Sequence, residues 1–399
     1  MSNRKINVVV VGVSVAGMAV ARAVAALSKQ GYPNLRVTAI DKNEYYYHAL
    51  GAPRAVVDKV FGKKLLMPLK NLLCKYELNP EDPKHQFIQA SVVSVTADTA
   101  VLSDGQSIAY DYLVLSTGAR NKVPAHYQGP TVSDAQRHMS LVYDNVHRAK
   151  DILVIGGGPV GVEIAGEIAY AYKDKRVTLV HGGKRLLPLK FKEGLSNGAV
   201  AKLEALGVNV ALNEKIDIPS DVVFDCSVRP LTLTGSSGKK YSSDLQILAT
   251  GVTYESDYLG SLETALGVSL RQPNGTIKVR STLQLDCDKT PNVFVPGDVN
   301  SLPGGAKYAV KAKEQGLTVG RNLVSMIKQG YDVDKKNLPD LADYTGGEMN
   351  MILVPIGKEL GVFQALGIAF GKSFVGNFMS TKIKSKDYFV GRFAAEFES

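Results

Sequence analysis

One local pattern is written twice in this chain: a β-branched apolar run, a glycine turn, and at once a helix-forming stretch. The first copy reads Val8-Val9-Val10-Val11-Gly12-Val13-Ser14-Val15-Ala16-Gly17 and runs on through Met18 to Val24. The second reads Ile152-Leu153-Val154-Ile155-Gly156-Gly157-Gly158-Pro159-Val160-Gly161 and runs on to Ala171. Apolar runs of this kind suit strands buried on both faces of a parallel sheet. In G-x-G-x-x-G the first glycine makes the tight turn, the second lets backbone approach a pyrophosphate, and the third lets helix pack on strand. A lone motif is weak evidence. Two, each inside a βαβ pattern, predict an α/β fold with two Rossmann-like dinucleotide-binding domains.

The residues around each turn extend the pattern. The first copy carries Ser14 in the middle position, where a small hydroxyl can itself donate to phosphate. Its second strand, Leu35 to Ile40, ends at Asp41, with Lys42 beside it; an acid at that strand end is placed to accept adenosine ribose hydroxyls. The second copy has all three glycines, Gly156, Gly158 and Gly161, and the amides and dipole of the following helix make an anion site. There the partner strand Arg176 to Val180 ends at His181, followed by Lys184 and Arg185. An acid would repel a 2′-phosphate, so its absence loosens NADH selectivity and lets the two bases pair with NADPH. The expectation is that NADPH is accepted within about tenfold of NADH.

Each motif has a later echo. Asp111 to Ala119 is a strand closing on Thr117-Gly118, and Leu245 to Gly251 repeats it with Thr250-Gly251. The chain thus holds an internal repeat of one nucleotide-binding plan, one copy inserted in the other. Asn292-Val293-Phe294-Val295-Pro296-Gly297-Asp298 is a further short strand, whose aspartate is placed to bond a ribityl hydroxyl of a flavin.

Composition excludes other classes. At 399 residues the chain exceeds one core, and a net charge of +9 favours anionic partners. No dedicated nucleic-acid motif and no block of like charge occurs. Cys74, Cys226 and Cys287 lie far apart, so neither a redox dithiol nor a metal site is written locally. Arg4 and Lys5 precede the uncharged stretch Ile6 to Ala21, as in a signal peptide, yet its strand, turn and helix content and lack of a cleavage site favour structure. Ser2 stands where N-myristoylation needs glycine, and no apolar run reaches the length of about 18 residues that spans a bilayer. An intracellular protein, cytoplasmic or peripherally membrane-associated, is expected.

The paired glycine motifs, the two Thr-Gly strands and Phe294-Val295-Pro296-Gly297-Asp298-Val299 resemble the FAD-dependent pyridine-nucleotide oxidoreductases across residues 6 to 325. Tyr45 to Ala55, Val177 to His181 and the tail Lys382 to Val390 are similar to its apoptosis-inducing-factor-like branch, which includes ferroptosis suppressor proteins. The resemblance implies bound FAD, NADH or NADPH as donor, and a small-molecule electron acceptor of quinone type. Stacking nicotinamide close to flavin would supply most of the rate by positioning, so no nucleophile is needed.

On this reading Glu163, in the first helical turn after Gly161, contacts the nicotinamide ribose or amide; the alternative is an acid favoured by the helix dipole. The resemblance places Lys384 against the flavin, where a cation stabilises developing negative charge; the alternative is a solvated basic face with Lys382, Lys386 and Arg392. His48 and Arg54 are candidates to reach the isoalloxazine or pyrophosphate, with a structural histidine as the alternative. Lys307 and Tyr308 border an acceptor channel or cap the helix that follows.

The expected organisation is a FAD-binding domain from 1–120 and 252–325, an NAD(P)-binding domain at 122–251, and a C-terminal α+β module at 335–399 covering the flavin. That module also offers peripheral contact with a membrane. Competing functions are reduction of another small acceptor, and a redox-gated interaction protein with slow NADH turnover.

Overall fold

The computed structural model describes residues 5–70, 85–127, 129–302, 308–330, 338–347 and 349–398. Ser2, Cys74 and Lys307 lie outside the described residues. The elements that position the site begin with β1 (Ile6–Val11), α1 (Val15–Ala25), β2 (Leu35–Asp41), β3 (His85–Gln89) and β4 (Tyr112–Leu115). Next come β5 (Asp151–Ile155), α2 (Pro159–Ala171), β6 (Arg176–Val180), α3 (Glu193–Ala205), β7 (Asn209–Ala211) and β8 (Leu245–Leu248). They continue with β9 (Val293–Phe294), α4 (Ala309–Lys328), β10 (Ile352–Ile356), β11 (Leu360–Ala365) and β12 (Ile368–Phe370). Last are α5 (Phe374–Met379), a π-helical turn at Ser380–Ser385, and α6 (Val390–Glu398).

Two compact units result. The first comprises residues 1–46, 68–120 and 253–348. Its five-stranded sheet has the order β9-β4-β1-β2-β3, parallel throughout. Val8, Val9 and Val10 are fully buried at its centre, each contributing roughly 1.5–3 kcal/mol of burial. Beneath, α4 lies close on α1 because Gly316 and Gly320 lack side chains: a Cβ on Gly316 would stand 2.4 Å from the Ala16 carbonyl oxygen.

The second unit comprises residues 47–67, 121–252 and 349–399. Its four-stranded parallel sheet has the order β7-β6-β5-β8. A three-stranded antiparallel sheet, β10-β11-β12, belongs to the same unit. Gly166 of α2 packs on Ile356 of β10, where a Cβ would come within 2.8 Å of the isoleucine side chain. Residues 47–67 depart from the linear plan, which drew them with 1–120. They pack in the second unit, where Arg54 meets Glu167 of α2.

Among the described residues no helix is long and apolar enough to cross a membrane.

Candidate active site

In the first unit, the pairing Val11↔Ile40 brings Gly12 and Asp41 to the same carboxyl edge of the sheet. Gly12 has φ +86°, which favours glycine, and a Cβ there would lie 2.5 Å from the Ser116 carbonyl oxygen. A Cβ on Gly17 would strike the Gly12 carbonyl oxygen at 2.0 Å, so the turn and the start of α1 close on each other only as glycines. Ser14 is the exposed N-cap of α1 and its hydroxyl caps nothing. It stands beside the helix-start amides, whose hydrogens have no intrahelical acceptor. Asp41 accepts from Val13 N at 2.7 Å and from Asn43 N at 2.9 Å. Burial pushes its carboxyl above the ordinary carboxylate range, against those two bonds and Lys42.

Around this turn stand the other first-unit candidates. Lys42 pairs with Glu255, which also receives Arg120 at 3.2 Å. Thr117 donates to the Glu255 carbonyl at 2.9 Å, and Gly118 holds φ +68° beside open space. Half-buried Asp298 follows Gly297, whose amide donates to buried Gln315 Oε1 at 2.7 Å.

The second unit repeats the arrangement. Ile155↔Val180 sets Gly156 and His181 at one edge. Gly156 has φ +118°, with a Cβ 2.5 Å from the Ala249 carbonyl oxygen, and a Cβ on Gly161 would meet the Gly156 carbonyl oxygen at 1.9 Å. Gly158 differs: nothing lies within 4 Å of where its Cβ would be. Outer glycines serve the chain's own packing, while the middle one borders open space that a pyrophosphate can enter. Gly251 holds φ +69° with the same openness. His181 Nδ1 accepts from Gly157 N at 3.2 Å, and burial keeps the ring below its usual pKa. Lys184 is exposed; the Arg185 guanidinium donates to the Leu189 carbonyl. Both cradles fit dinucleotides: the turns close through glycine, the middle position of the second stays clear, and that of the first carries the exposed Ser14.

Four further candidates converge in the second unit. Lys384 Nζ lies 2.5 Å from Glu163 Oε1, with side-chain exposures of 11% and 4%. One helical turn on, Glu167 accepts from Arg54 Nε at 2.6 Å and from the Tyr388 hydroxyl at 2.8 Å. Arg54 also reaches Ser385 Oγ at 3.1 Å and lies 5.2 Å from the Tyr388 ring centre. His48 Nε2 faces the Tyr388 carbonyl at 2.7 Å, which assigns the proton to that nitrogen. The cluster holds two carboxylates and two cations in balance, as buried charges require. Burial raises the Glu163 carboxyl while Lys384 opposes the rise. Burial works against the Arg54 guanidinium, but the Glu167 bond more than restores its charge. Burial lowers His48, which stays neutral.

Glu163, Lys384, Arg54 and His48 thus sit together, whereas Gly12, Ser14, Gly17, Asp41, Lys42, Thr117, Gly118 and Asp298 assemble in the other unit. Glu167, Tyr388, Ser385 and Glu255 were missed. Glu163 and Glu167 stand four apart on one helix and so share a face, a signal readable in advance.

The profile of the pyridine nucleotide-disulphide oxidoreductase family matches residues 6–316. The chain belongs to that family. It is a flavoprotein oxidoreductase using a pyridine nucleotide, and its curated relatives include apoptosis-inducing factor homologs and ferroptosis suppressor proteins, the branch it resembles. Apoptosis-inducing factor homolog A of Dictyostelium discoideum is 26% identical over 385 residues, 92% of this chain and 87% of that protein. Ferroptosis suppressor protein 1 of Xenopus tropicalis is 27% identical over 398 residues, 97% of this chain and 94% of that protein. In fold the chain is similar to the sulfide:quinone oxidoreductase of Aquifex aeolicus, with TM-score 0.67 and 17% identity, covering 98% of this chain and 91% of that one. It is similar likewise to NDH2 of Plasmodium falciparum in complex with NADH, with TM-score 0.67 and 16% identity, covering 99% and 98%. Despite the family's name, Cys226 is a buried free thiol that burial keeps protonated, and Cys287 is free as well.

Proposed function

We propose that this chain is an NAD(P)H oxidoreductase that passes electrons through its flavin to a quinone-type acceptor. The observation that carries the reading is the pairing of two dinucleotide cradles with a buried Lys384–Glu163 couple, in a chain without a local dithiol. With no CxxC or CxxxxC pair in the sequence to relay them, electrons would leave the flavin directly on this reading. A bound flavin supplies the two-electron chemistry, taking electrons from nicotinamide and handing them on.

The chain's own residues bind and orient. Gly12, Ser14, Gly17, Asp41, Lys42, Thr117, Gly118 and Asp298 would hold FAD; Gly156, Gly158, Gly161, His181, Lys184, Arg185 and Gly251 would hold the nicotinamide nucleotide. Lys384 Nζ holds a proton and a positive charge that would favour negative charge developing on an acceptor oxygen. Glu163 Oε1 anchors that ammonium, and Arg54, Glu167, Tyr388 and His48 fix the segment carrying it.

The reading includes contact with an anionic membrane surface, where a lipid-soluble acceptor would be met. What supports this is the stretch from Leu360 to Lys386, which holds no acid and carries the exposed Lys372, Lys382 and Lys386. It also exposes Leu366, Phe374 and Phe378 at 95%, 78% and 47%.

Stopped-flow tests the reaction. The yellow holoprotein, reduced by NADH or NADPH and mixed with soluble quinones, should reoxidise faster with at least one quinone than with oxygen. Reoxidation no faster with any quinone than with oxygen would remove the quinone assignment and leave the family chemistry standing.

A further inference from the structure

Lys202, on α3, is a buried lysine outside the site described above. Its Nζ donates to the Gly361 carbonyl oxygen of β11 at 2.7 Å and to Asn377 Oδ1 of α5 at 2.6 Å. Asn377 Oδ1 also accepts from Gly361 N at 3.2 Å, so one ring of bonds closes across three elements. The chain around it leaves no room for extra side chains. A Cβ on Gly361 would stand 2.1 Å from Ser380 Oγ, and one on Gly376 2.0 Å from the Phe370 carbonyl oxygen. With 6 residues, α5 is far short of the roughly 12–15 that a helix needs to persist alone, so its seat depends on these contacts.

The ring holds no negative charge. β10, β11, β12 and α5 carry no ionisable side chain. On α2, Glu163 is taken by Lys384, Glu167 by Arg54 and Tyr388, and the Tyr170 hydroxyl bonds Glu359. Glu193 and Glu204 of α3 are exposed, as are Lys358 and Glu359 before β11, Lys372 before α5 and Lys382 after it. Among the described residues no carboxylate pairs with Lys202, and burial by itself pushes its ammonium down from 10.5 to about 8. The two acceptors match the two hydrogens of a neutral amine, whereas an ammonium brings a third. Seated Lys202 thus holds its proton less readily than a solvated lysine. The seat is weakest below about pH 8 and strengthens as pH rises toward 10.5.

We propose that Lys202 is a proton-operated pin: as an amine it fixes α5 on α3, and as an ammonium it lets the helix loosen. Because α5 carries Phe374 and Phe378, the pin sets how firmly these exposed rings are held. The inference rests on neither the quinone reading nor the membrane contact.

Hydrogen exchange of the FAD-loaded protein, followed by mass spectrometry, reads the opening of residues 360–379. After correction for the intrinsic pH dependence of exchange, protection there should rise about tenfold between pH 7 and pH 9, the factor that proton binding near 8 when seated and 10.5 when free requires. Lys202→Met fills the same space without a proton, so its protection should stay flat over that range. Asn377→Asp keeps both bonds and sets a carboxylate beside the ammonium; it should raise protection at pH 7 and abolish the rise. A flat wild-type profile would overturn the proposal. So would a rise shared by residues 151–155 of the parallel sheet, or an equal rise in Lys202→Met. Should the methionine variant fail to fold, a rise of wild-type size in Asn377→Asp overturns it alone.

Discussion

Lys384 is a partner before it is anything else. Its ammonium neutralises Glu163 inside the second unit, and removing it strands a buried carboxylate. Lys384→Ala should therefore cost about 3–5 kcal/mol at neutral pH, the penalty for breaking a buried pair from one side. The loss should depend on pH in a definite direction. Burial already raises the Glu163 carboxyl above its ordinary value of 4.5, and loss of the lysine raises it further. The folded variant then binds more protons than the unfolded chain, so its stability drops as pH climbs above about 4.5. Thermal melts should show a gap to wild type that is wide at pH 8 and narrow at pH 5. Glu163→Gln combined with Lys384→Met should recover most of the stability while leaving quinone reduction slow. If the double variant reduces quinone at the wild-type rate, Lys384 is structural only.

At the scale of elements, the glycines of a single turn divide into two kinds. Gly161 is pinned by its own chain, since a Cβ would overlap the Gly156 carbonyl at 1.9 Å, whereas Gly158 at φ −70° meets nothing. Gly158→Ala should fold, keep its flavin and melt within about 2 °C of wild type, as suits a change well below 1 kcal/mol. Its affinity for NAD(P)H should fall at least about tenfold, or 1.4 kcal/mol, because the methyl fills the space a pyrophosphate needs. Gly161→Ala should instead lose soluble protein. An unchanged affinity in Gly158→Ala would place the nucleotide elsewhere. Such turns were legible in sequence because their causes are local: valine runs, glycines at fixed offsets, and an acid or histidine at the next strand end. The Lys384–Glu163 pair was not, since 221 positions separate its members. Lys382, Lys384 and Lys386 look alike in sequence; the π-helical turn Ser380–Ser385 and the left-handed Tyr388 and Phe389 decide which turns inward. Glu167 and Tyr388 escaped for the same reason, because their meaning depends on Arg54, far away in the chain.

For the whole molecule, charge is unevenly arranged. The net +9 is shared over 399 residues, yet the stretch from Leu360 to Lys386 has no acid at all. In that stretch Phe374 and Phe378 stand with ring centres 6.1 Å apart on exposed α5, and Leu366 projects from the turn between β11 and β12. Exposed aromatics beside lysines suit the boundary of an anionic bilayer, where rings bury apolar area and ammonium groups meet headgroups. Burying one phenylalanine is worth roughly 1.5–3 kcal/mol, and each lysine near the surface about 1 kcal/mol. The protein should thus sediment with phosphatidylserine-containing vesicles and not with neutral ones, and salt should weaken the binding because it screens the lysine contribution. Phe374→Glu with Phe378→Glu should reduce vesicle binding at least about tenfold, since either change alone removes more than 1.4 kcal/mol. Turnover with a water-soluble quinone should stay at the wild-type level in that variant, while turnover with a quinone dissolved in vesicles should fall. Equal vesicle binding by variant and wild type would assign these rings to something other than a lipid surface, and leave the positive charge to account for any binding that remains.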